Sequence, residues 1–239
     1  MKQVVLLGVL LVSICFYACK TSNDMKTYNV KKTQFKGKIT ESLSDELWKE
    51  AILLTNFSQP WRDEPMQETS FMAMHTDSHL YLRYKVKDRN LIIYDNYQTK
   101  RDIVRSDRVE IFLRQDPNLK KYYCLEVDPN GAVLDFSATH YRTFDDDWAW
   151  PKGHLYTEGT ILDDGYLLDM IISMESLNDL GLIKDNVLEV GLYRADTEVL
   201  PDANNPDGDF KWITWVDPKT KEPDFHVSTS FGRLQLIAN

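Results

Sequence analysis

Apolar and polar residues alternate with a period of two along most of this chain. Within residues 79–87, the apolar positions are Leu80, Leu82, Tyr84 and Val86. This spacing is typical of a β-strand with one buried face. The same pattern predicts strands over residues 70–75, 108–113, 123–127, 132–138, 157–162, 166–173, 187–194 and 231–237. In the strand at 108–113, one face carries Val109, Ile111 and Leu113 and the other carries Arg108, Glu110 and Phe112; the apolar positions of the next strand are Tyr123, Leu125 and Val127.

Turn-forming residues separate several of these predicted strands. Residues 76–79, 128–131 and 163–165 are rich in Asp, Ser, Asn and Gly. Such residues favour the tight turns that join antiparallel strands. We therefore expect three β-hairpins in the middle of the chain.

Helical spacing appears in only two short segments. Ser44 precedes acidic residues and can cap a helix that begins there. In that segment Trp48 shares a face with Ala51 and Ile52, which predicts a core position for Trp48. The second segment, residues 175–177, spans one turn. Many short strands with one or two short helices predict an all-β fold, a jelly-roll-like antiparallel β-sandwich.

The beginning of the chain has a different pattern. An almost unbroken apolar run follows Lys2 and ends at Ala18, directly before Cys19. Its length is short for a membrane span and typical of a signal peptide. A small residue before a cysteine resembles the lipobox of bacterial lipoproteins, which implies removal of residues 1–18 and lipidation of Cys19. An uncleaved anchor helix and an ordinary secretory signal are the alternatives.

On the lipoprotein interpretation, residues 19–35 form a polar tether and residues 36–239 form one extracytoplasmic domain. The lipid alone would hold this domain at the cell envelope, on the outer membrane or the cell surface. The chain would then contact a membrane without crossing it.

Charge and cysteine content narrow the classes of partner. The formal net charge is −9. An acidic protein is poorly suited to nucleic acid, whose phosphates are bound by Lys and Arg. With Cys15 in the signal and Cys19 lipidated, Cys124 has no disulfide partner within the domain. Its apolar surroundings predict a small buried residue rather than a reactive thiol.

Common catalytic signatures are absent, including GxSxG, HExxH, CxxC and a glycine-rich phosphate loop. Residues 202–209 contain three Asp and two Asn, as a calcium loop does. If Gly208 takes the glycine position of an EF-hand, Ala203 and Thr214 fall at the first and last ligand positions, and neither fits. Two interpretations of this segment therefore remain: a loop that binds calcium with irregular geometry, and a solvated loop without an ion.

A loop at residues 145–151 places two tryptophans beside three aspartates. A tryptophan face stacks on the apolar face of a sugar ring, and carboxylates accept hydrogen bonds from its hydroxyls. Exposed aromatic residues on a soluble protein often mark an interaction site. Trp148 and Trp150 are therefore candidates for sugar contact, and a loop folded back over the end of the sandwich is the alternative.

Six segments occur in a characteristic order, namely WKEA at 48–51, HLYLRYKVKD at 79–88, SDRVEIFL at 106–113, DGY at 164–166, WVDP at 215–218 and FGRLQL at 231–236. Together they resemble the family 9 carbohydrate-binding modules and their relatives in Bacteroidetes-type lipoproteins. The resemblance covers most of residues 36–239. It implies a β-sandwich that often holds structural calcium and clamps the end of a sugar chain between aromatic rings.

The binding positions implied by this resemblance are only partly kept. The acidic residue falls on Glu110. The two clamp tryptophans fall near Val104, which is aliphatic, and near Phe225. An Arg and an Asn on the next strand fall near Cys124 and Glu126.

Other aromatic residues are candidates for the missing wall, namely Trp148, Trp150, Trp212 and Tyr97. Trp212 and Trp215 are three apart in an extended segment, so one is expected in the core and the other on the surface. The candidate carbohydrate-binding residues are therefore Glu110, Phe225, Trp215, Trp212, Trp148, Trp150, Arg108 and Glu126.

Two functions of different classes follow from these residues. The first, which the short chain favours, is non-catalytic binding of an oligo- or polysaccharide without a required cofactor, alongside polysaccharide-degrading enzymes. The second is a glycoside hydrolase with Glu110 and Glu126 as paired carboxylates, which should lie about 5–10 Å apart. A related sandwich group binds haem through Met, His or Lys, for which the candidates are Met72, Met74, His75 and Met170.

Overall fold

The computed structural model describes residues 25–201, 204–205 and 208–238. The strands in this part of the chain are β1 (Thr27–Lys32), β2 (Thr69–His75), β3 (His79–Lys87), β4 (Arg108–Arg114), β5 (Tyr122–Val127), β6 (Val133–Thr139), β7 (Thr143–Asp145), β8 (Leu155–Leu162), β9 (Gly165–Ser173), β10 (Ile183–Lys184), β11 (Val187–Val199), β12 (Asp209–Thr214) and β13 (Gly232–Ile237). The helices are α1 (Asp45–Trp48) and α2 (Met174–Asp179), with 3-10 turns at Lys100–Arg105 and Ser228–Ser230.

The strands form one curled sheet in the order β7-β6-β5-β4-β11-β13-β1-β2-β3-β9-β8, and β10 and β12 also pair with β11. The predicted all-β sandwich with short helices is confirmed. The sheet is mixed rather than purely antiparallel, because β1 runs parallel to both β13 and β2. This pairing joins the two ends of the described chain, and no local turn pattern encodes it.

The three predicted hairpins are present. They are β2–β3, β5–β6 and β8–β9, each antiparallel and in continuous register. Ser44 caps α1 by accepting a hydrogen bond from the Leu47 amide at 3.4 Å. The periodicity did not reveal β1, β7, β10 or β12; β7 and β10 span only three and two residues, which is too few for alternation to be recognised.

The prediction of a tether over residues 19–35 is wrong for β1. Tyr28 and Val30 are buried, and the Tyr28 hydroxyl accepts a hydrogen bond from the Ala73 amide at 2.9 Å. Two buried apolar side chains and a full strand of pairing to β13 fix this segment in the sheet. The local composition is polar, so the strand is stabilised by contacts with segments distant in sequence.

The first 24 residues, including Cys19 and the predicted signal peptide, lie outside the described residues. Among the helices that the structure does describe, none combines the length and apolar character needed to span a bilayer.

The main core lies between the two arms of the curled sheet. One arm contributes residues such as Leu82 of β3 and Met170 of β9, and the facing arm contributes Ile111, Leu125 and Leu192. These five side chains are fully buried. The strand faces predicted for β3 and β4 are therefore confirmed.

A second apolar cluster covers the opposite face of β4, β5, β6 and β11. Its members include Phe112, Tyr122, Phe136, Tyr193 and Phe225. Because this arm is covered on both faces, every residue of β4 is buried. The segment after β12 returns over this outer face, and the candidate site lies where the cover is incomplete.

A third cluster lies outside the other arm. Trp48 packs there with Tyr81 and Ile171, and it is 3% exposed. The Arg83 guanidinium lies 4.9 Å from the centre of the Trp48 ring. The predicted core role of Trp48 is confirmed.

Candidate functional site

A cavity of about 190 Å³ opens on the outer face of β4 and β5. Glu110 and Glu126 lie directly opposite each other on these strands, and Arg108 precedes Glu110 by two residues on the same face. Alternation along β4 and β5 therefore brings all three charged side chains to the cavity. The rest of the lining is Arg101, Val104, Phe136, Arg142, Phe144, Trp212, Pro223, Asp224, Phe225 and His226.

Arg108 joins the two glutamates. Its Nε atom lies 2.7 Å from Glu126 Oε2 and 3.1 Å from Glu110 Oε1. Nη1 donates a hydrogen bond to the Val104 carbonyl oxygen at 2.9 Å. All three charged side chains are almost fully buried. Burial of two carboxylates is tolerated because the guanidinium contacts both of them.

Burial, followed by the charge of Glu126, raises the pKa of Glu110 to about 8, although Arg108 acts in the opposite direction. At neutral pH, Glu110 is therefore largely protonated. A protonated carboxyl group both donates and accepts hydrogen bonds. The floor of the cavity thus presents donors and acceptors together, as recognition of hydroxyl groups requires.

Aromatic side chains form one wall of the cavity. Phe225 stacks on Tyr193 with ring centroids 4.0 Å apart and planes inclined by 7°. The Trp212 ring meets Phe225 edge-on at 5.8 Å, and the Arg108 guanidinium lies 5.5 Å from the Trp212 ring centre. Phe225 is buried and Trp212 is half-buried. This wall can offer apolar surface to a sugar ring.

His226 lines the cavity beside Phe225. Its ring centre lies 5.0 Å from those of Phe112 and Phe144, and its Nδ1 atom is 3.0 Å from the Tyr122 hydroxyl. Burial, and next the charge of Arg142, lowers the pKa of His226 to about 4. His226 is therefore neutral at physiological pH and packs as an aromatic residue.

Two more guanidinium groups lie near Phe144 at the mouth of the cavity. Arg101 and Arg142 lie 5.7 Å and 5.9 Å from the centre of its ring. Arg101 also pairs with Asp146, and Arg142 lies 3.6 Å from Asp224. The charges at the mouth are thus largely balanced.

Five of the eight predicted binding residues meet at this cavity. They are Arg108, Glu110, Glu126, Trp212 and Phe225. Val104, the position implied for the first clamp tryptophan, also lines it. The second implied clamp position, Phe225, is therefore in the same cavity.

The other predicted tryptophans do not line this cavity. Trp150 is 6% exposed and its Nε1 atom donates to Ser176 Oγ at 3.1 Å, while Trp148 packs on Tyr123 with ring centres 4.8 Å apart. The loop folds back on the main core, which was the alternative interpretation, so the two tryptophans lie apart from the other candidate binding residues. Trp215 is 1% exposed in that core, so it is the inward member of its pair with Trp212.

Tyr97 is also absent from the cavity wall. Its hydroxyl donates to Asp128 Oδ2 at 2.5 Å. The sequence interpretation missed Arg101, Phe136, Arg142, Phe144, Asp224 and His226, which reach the cavity from β6, β7 and the covering segments. Asp224 and His226 flank Phe225, so their closeness to a predicted residue was the one available signal.

The residues proposed as haem ligands are divided between two sides of the sheet. Met74 packs in the outer cluster with Trp48, whereas Met170 packs in the main core. His75 Nε2 lies 3.1 Å from the Ile237 carbonyl oxygen. These side chains cannot ligate one haem together, because the sheet separates them.

A separate acidic cluster lies inside the domain. One oxygen each of Asp88, Asp107 and Asp196 falls within 4.8 Å of the other two. Arg194 Nη2 lies 2.8 Å from Asp88 Oδ2 and 3.4 Å from Asp196 Oδ2. Burial, and next the charge of Asp88, raises the pKa of Asp107 to about 7. Three buried carboxyl groups thus share one guanidinium, and the cluster lacks positive charge.

This cluster fits a hard cation. Thr197 donates its amide to Asp107 Oδ1 at 2.6 Å, and its buried hydroxyl has no hydrogen-bond partner within the described ranges. Carboxylate and hydroxyl oxygens are the ligands that Ca²⁺ prefers. Of the calcium loop considered from sequence, residues 202, 203, 206 and 207 lie outside the described residues.

Comparison with known proteins agrees with this fold. Residues 39–239 match the family model described as carbohydrate family 9 binding domain-like. A protein from Bacteroides uniformis that is proposed to bind carbohydrate shares 19% identity, with a TM-score of 0.61 over 90% of this chain and 100% of that chain. No curated protein matches the chain.

A family 9 carbohydrate-binding module from Caldicellulosiruptor kristjanssonii is also similar. Its structures with glucose and with cellotriose share 18% identity with this chain and have TM-scores of 0.56. The matches cover 90% of this chain and 97% and 95% of those chains. At such identities the likeness shows a common fold.

Proposed function

We propose that this chain, which belongs to the carbohydrate family 9 binding domain-like family over residues 39–239, binds a saccharide in the cavity between Glu110 and Trp212. The observation that carries the proposal is the aromatic wall beside a buried group of two carboxyls and one guanidinium. Binding requires no cofactor. The structural relatives solved with glucose and cellotriose support a saccharide as the ligand.

The chemistry of the cavity suits a sugar at each surface. Trp212 and Phe225 offer apolar surface, and Arg108, Glu110 and Glu126 offer fixed hydrogen-bonding groups. A cavity of about 190 Å³ is smaller than the roughly 300–1,000 Å³ of sites for drug-sized ligands. It is therefore suited to one unit of a saccharide rather than to a long stretch of chain.

The arrangement favours binding over hydrolysis. A glycosidase places its two carboxyl groups on either side of the bond that it cleaves. Here Glu110 and Glu126 both contact Arg108 Nε, and they are 2% and 6% exposed. The guanidinium occupies the position that a scissile bond would need, so we assign these glutamates to ligand recognition.

A glycan array probed with residues 25–239 tests the proposal, followed by calorimetric titration of any saccharide that binds. We expect at least one oligosaccharide to bind and Arg108→Ala to abolish that binding, or to unfold the protein. Arg108→Lys keeps a cation, so reduced affinity in a folded Arg108→Lys variant would locate the ligand in this cavity. Absence of binding to every glycan on the array would contradict the proposal.

We further propose that the domain is exported and lipidated at Cys19, and that it captures polysaccharide for degrading enzymes. The apolar run before Ala18-Cys19 in the sequence supports this part of the proposal. A lipid anchor at Cys19 would concentrate the binding cavity at the cell envelope. Co-purification of a glycoside hydrolase with the tagged lipoprotein would identify such an enzyme.

We also propose that Asp88, Asp107 and Asp196 hold a structural calcium ion. When bound, the ion would offset the excess negative charge beside Arg194. Calcium should raise the midpoint of thermal unfolding, and EDTA should lower it. Asp107→Asn should abolish the calcium effect, whereas the exposed Asp77→Asn should retain it. An equal midpoint with calcium and with EDTA would contradict this site.

A further inference from the structure

A second cavity, of about 340 Å³, adjoins the first. The two share Trp212 and Pro223 in their linings. Gln59, Trp61 and Phe210 line only the second one. Trp212 therefore belongs to both cavities and connects them.

Aromatic rings form the walls of this second cavity. Phe210 and Trp212 are alternate residues of β12, and their rings stack with centroids 5.4 Å apart and planes inclined by 27°. The Trp61 Nε1 atom donates to the Thr220 carbonyl oxygen at 3.1 Å, and its ring lies 5.7 Å from Phe225. These contacts hold the aromatic surfaces in place before any ligand arrives.

Gln59 supplies a polar group without a partner. Neither Oε1 nor Nε2 of its side chain makes a hydrogen bond within the part of the chain that the structure describes, and both atoms are shielded from bulk water. Ser58, the residue before Gln59, exchanges two backbone hydrogen bonds with Thr214 of β12, each at 2.8 Å. This pairing fixes Gln59 beside β12. An unpartnered buried amide in a cavity wall calls for a ligand with donors and acceptors.

The charged side chains that line this cavity balance in number, because Arg62 and Lys221 are matched by Asp209 and Glu222. Arg62 contacts Asp209 and lies 3.7 Å from Glu198. Because these charges cancel, the feature that distinguishes the cavity is an amide between aromatic surfaces. That chemistry fits the hydroxyl groups and apolar faces of an uncharged sugar ring.

We propose that the second cavity binds the next unit of the saccharide held in the first, so that the ligand is an oligosaccharide of two or more units spanning Trp212. Gln59 hydrogen-bonds the hydroxyls of that unit, and Phe210 and Trp61 contact its ring. This inference rests on the proposed function and adds a subsite to it.

The test compares monomers with their own dimers and trimers by calorimetric titration. Suitable probes are the gluco-, xylo-, manno- and galacto-series, each from one to three units. In a series that binds, we expect the dimer or trimer to bind at least about 10-fold more tightly than the monomer, as one added hydrogen-bonding subsite can provide. Gln59→Met, which keeps the length of the side chain without its amide, should reduce that ratio several-fold.

Gln98→Met removes an exposed amide that lines neither cavity and is the matched control, which should keep the wild-type ratio. Equal affinity for monomer, dimer and trimer in the wild-type protein would overturn the second subsite and leave the first intact. The second subsite would also be overturned if Gln59→Met kept the wild-type ratio of oligomer to monomer affinity. Failure of every series to bind would contradict the proposed function itself, and the subsite with it.

Discussion

Glu110 and Glu126 lie directly opposite each other on β4 and β5, and both contact the same nitrogen of Arg108, at 3.1 Å and 2.7 Å. Like charges at facing positions destabilise a sheet unless a third group compensates them. Here one guanidinium contacts both carboxyl groups, and the raised pKa of Glu110 favours its neutral form. The same compensation gives the cavity its hydrogen-bonding floor.

The first prediction concerns stability and pH. The pKa of Glu110 is raised from 4.5 to about 8, so between these values the folded protein holds a proton that the unfolded chain has released. The free energy of unfolding must therefore decrease as pH rises through that window. We expect a slope of at most about 1.4 kcal/mol per pH unit from this group. Urea denaturation at several pH values between about 5 and 8 measures it.

Glu110→Gln is the control for this slope, because the amide does not titrate. Asp107, whose pKa is also raised, contributes to the slope in both proteins. The difference between wild type and Glu110→Gln therefore reports Glu110. Parallel pH profiles for the two proteins would show that Glu110 does not titrate in this window.

A second prediction separates binding from packing among the tryptophans. Trp212→Ala should weaken saccharide binding roughly 10- to 100-fold, as for other aromatic hot spots, while the domain stays folded. Trp150→Phe should instead lower the unfolding midpoint and keep the affinity, since Trp150 packs in the main core. Titration and a thermal melt of each variant measure both effects. If Trp150→Phe weakened binding and Trp212→Ala did not, the ligand would lie on the 145–151 loop.

Phe225 has two roles, and a third prediction distinguishes them. Its ring stacks on Tyr193 and is only 6% exposed, so Phe225→Ala should destabilise the domain by roughly 3–5 kcal/mol. Phe225→Leu should cost less stability and still lose the flat wall of the cavity. We expect Phe225→Leu to fold and to bind saccharide more weakly than wild type. Unchanged affinity in that variant would remove Phe225 from the binding wall.

The main core provides a fourth prediction. Ile111 is fully buried between the two arms of the sheet. Ile111→Ala should lower the free energy of unfolding by roughly 2–5 kcal/mol, because it leaves a cavity. Ile161→Ala, at a half-exposed strand position, is the control and should change stability far less. If denaturant titrations gave the same loss of unfolding free energy for both variants, Ile111 could not lie on the inner face of β4.

A fifth prediction concerns lipidation. Cys19→Ser should abolish incorporation of labelled fatty acid in cells, since the thiol is the atom to which the lipid would attach. Cys15→Ser, within the same apolar run, is the control and should still be labelled. Labelling that persists in Cys19→Ser would show that the lipobox assignment is wrong.

The alternation of apolar and polar residues predicted most strands of the sheet and the face that each presents, although it did not reveal β1, β7, β10 or β12. Leu82, Ile111 and Leu125 were predicted to point inward from a local period of two, and they do. The same alternation placed Arg108 and Glu110 on one face of β4. Residue order alone sets this pattern, because successive side chains of a strand point to opposite sides.

The tertiary structure decided which of those faces meet. β1 joins β13 and β2 from opposite ends of the described chain, so local composition could not reveal that residues 27–32 form a strand. Trp150 lies in the core and Trp212 lies in a cavity wall because different distant segments pack against each of them. The alternation within a strand decides to which side of the sheet a side chain points. Its exposure depends in addition on the distant segments that pack against that side.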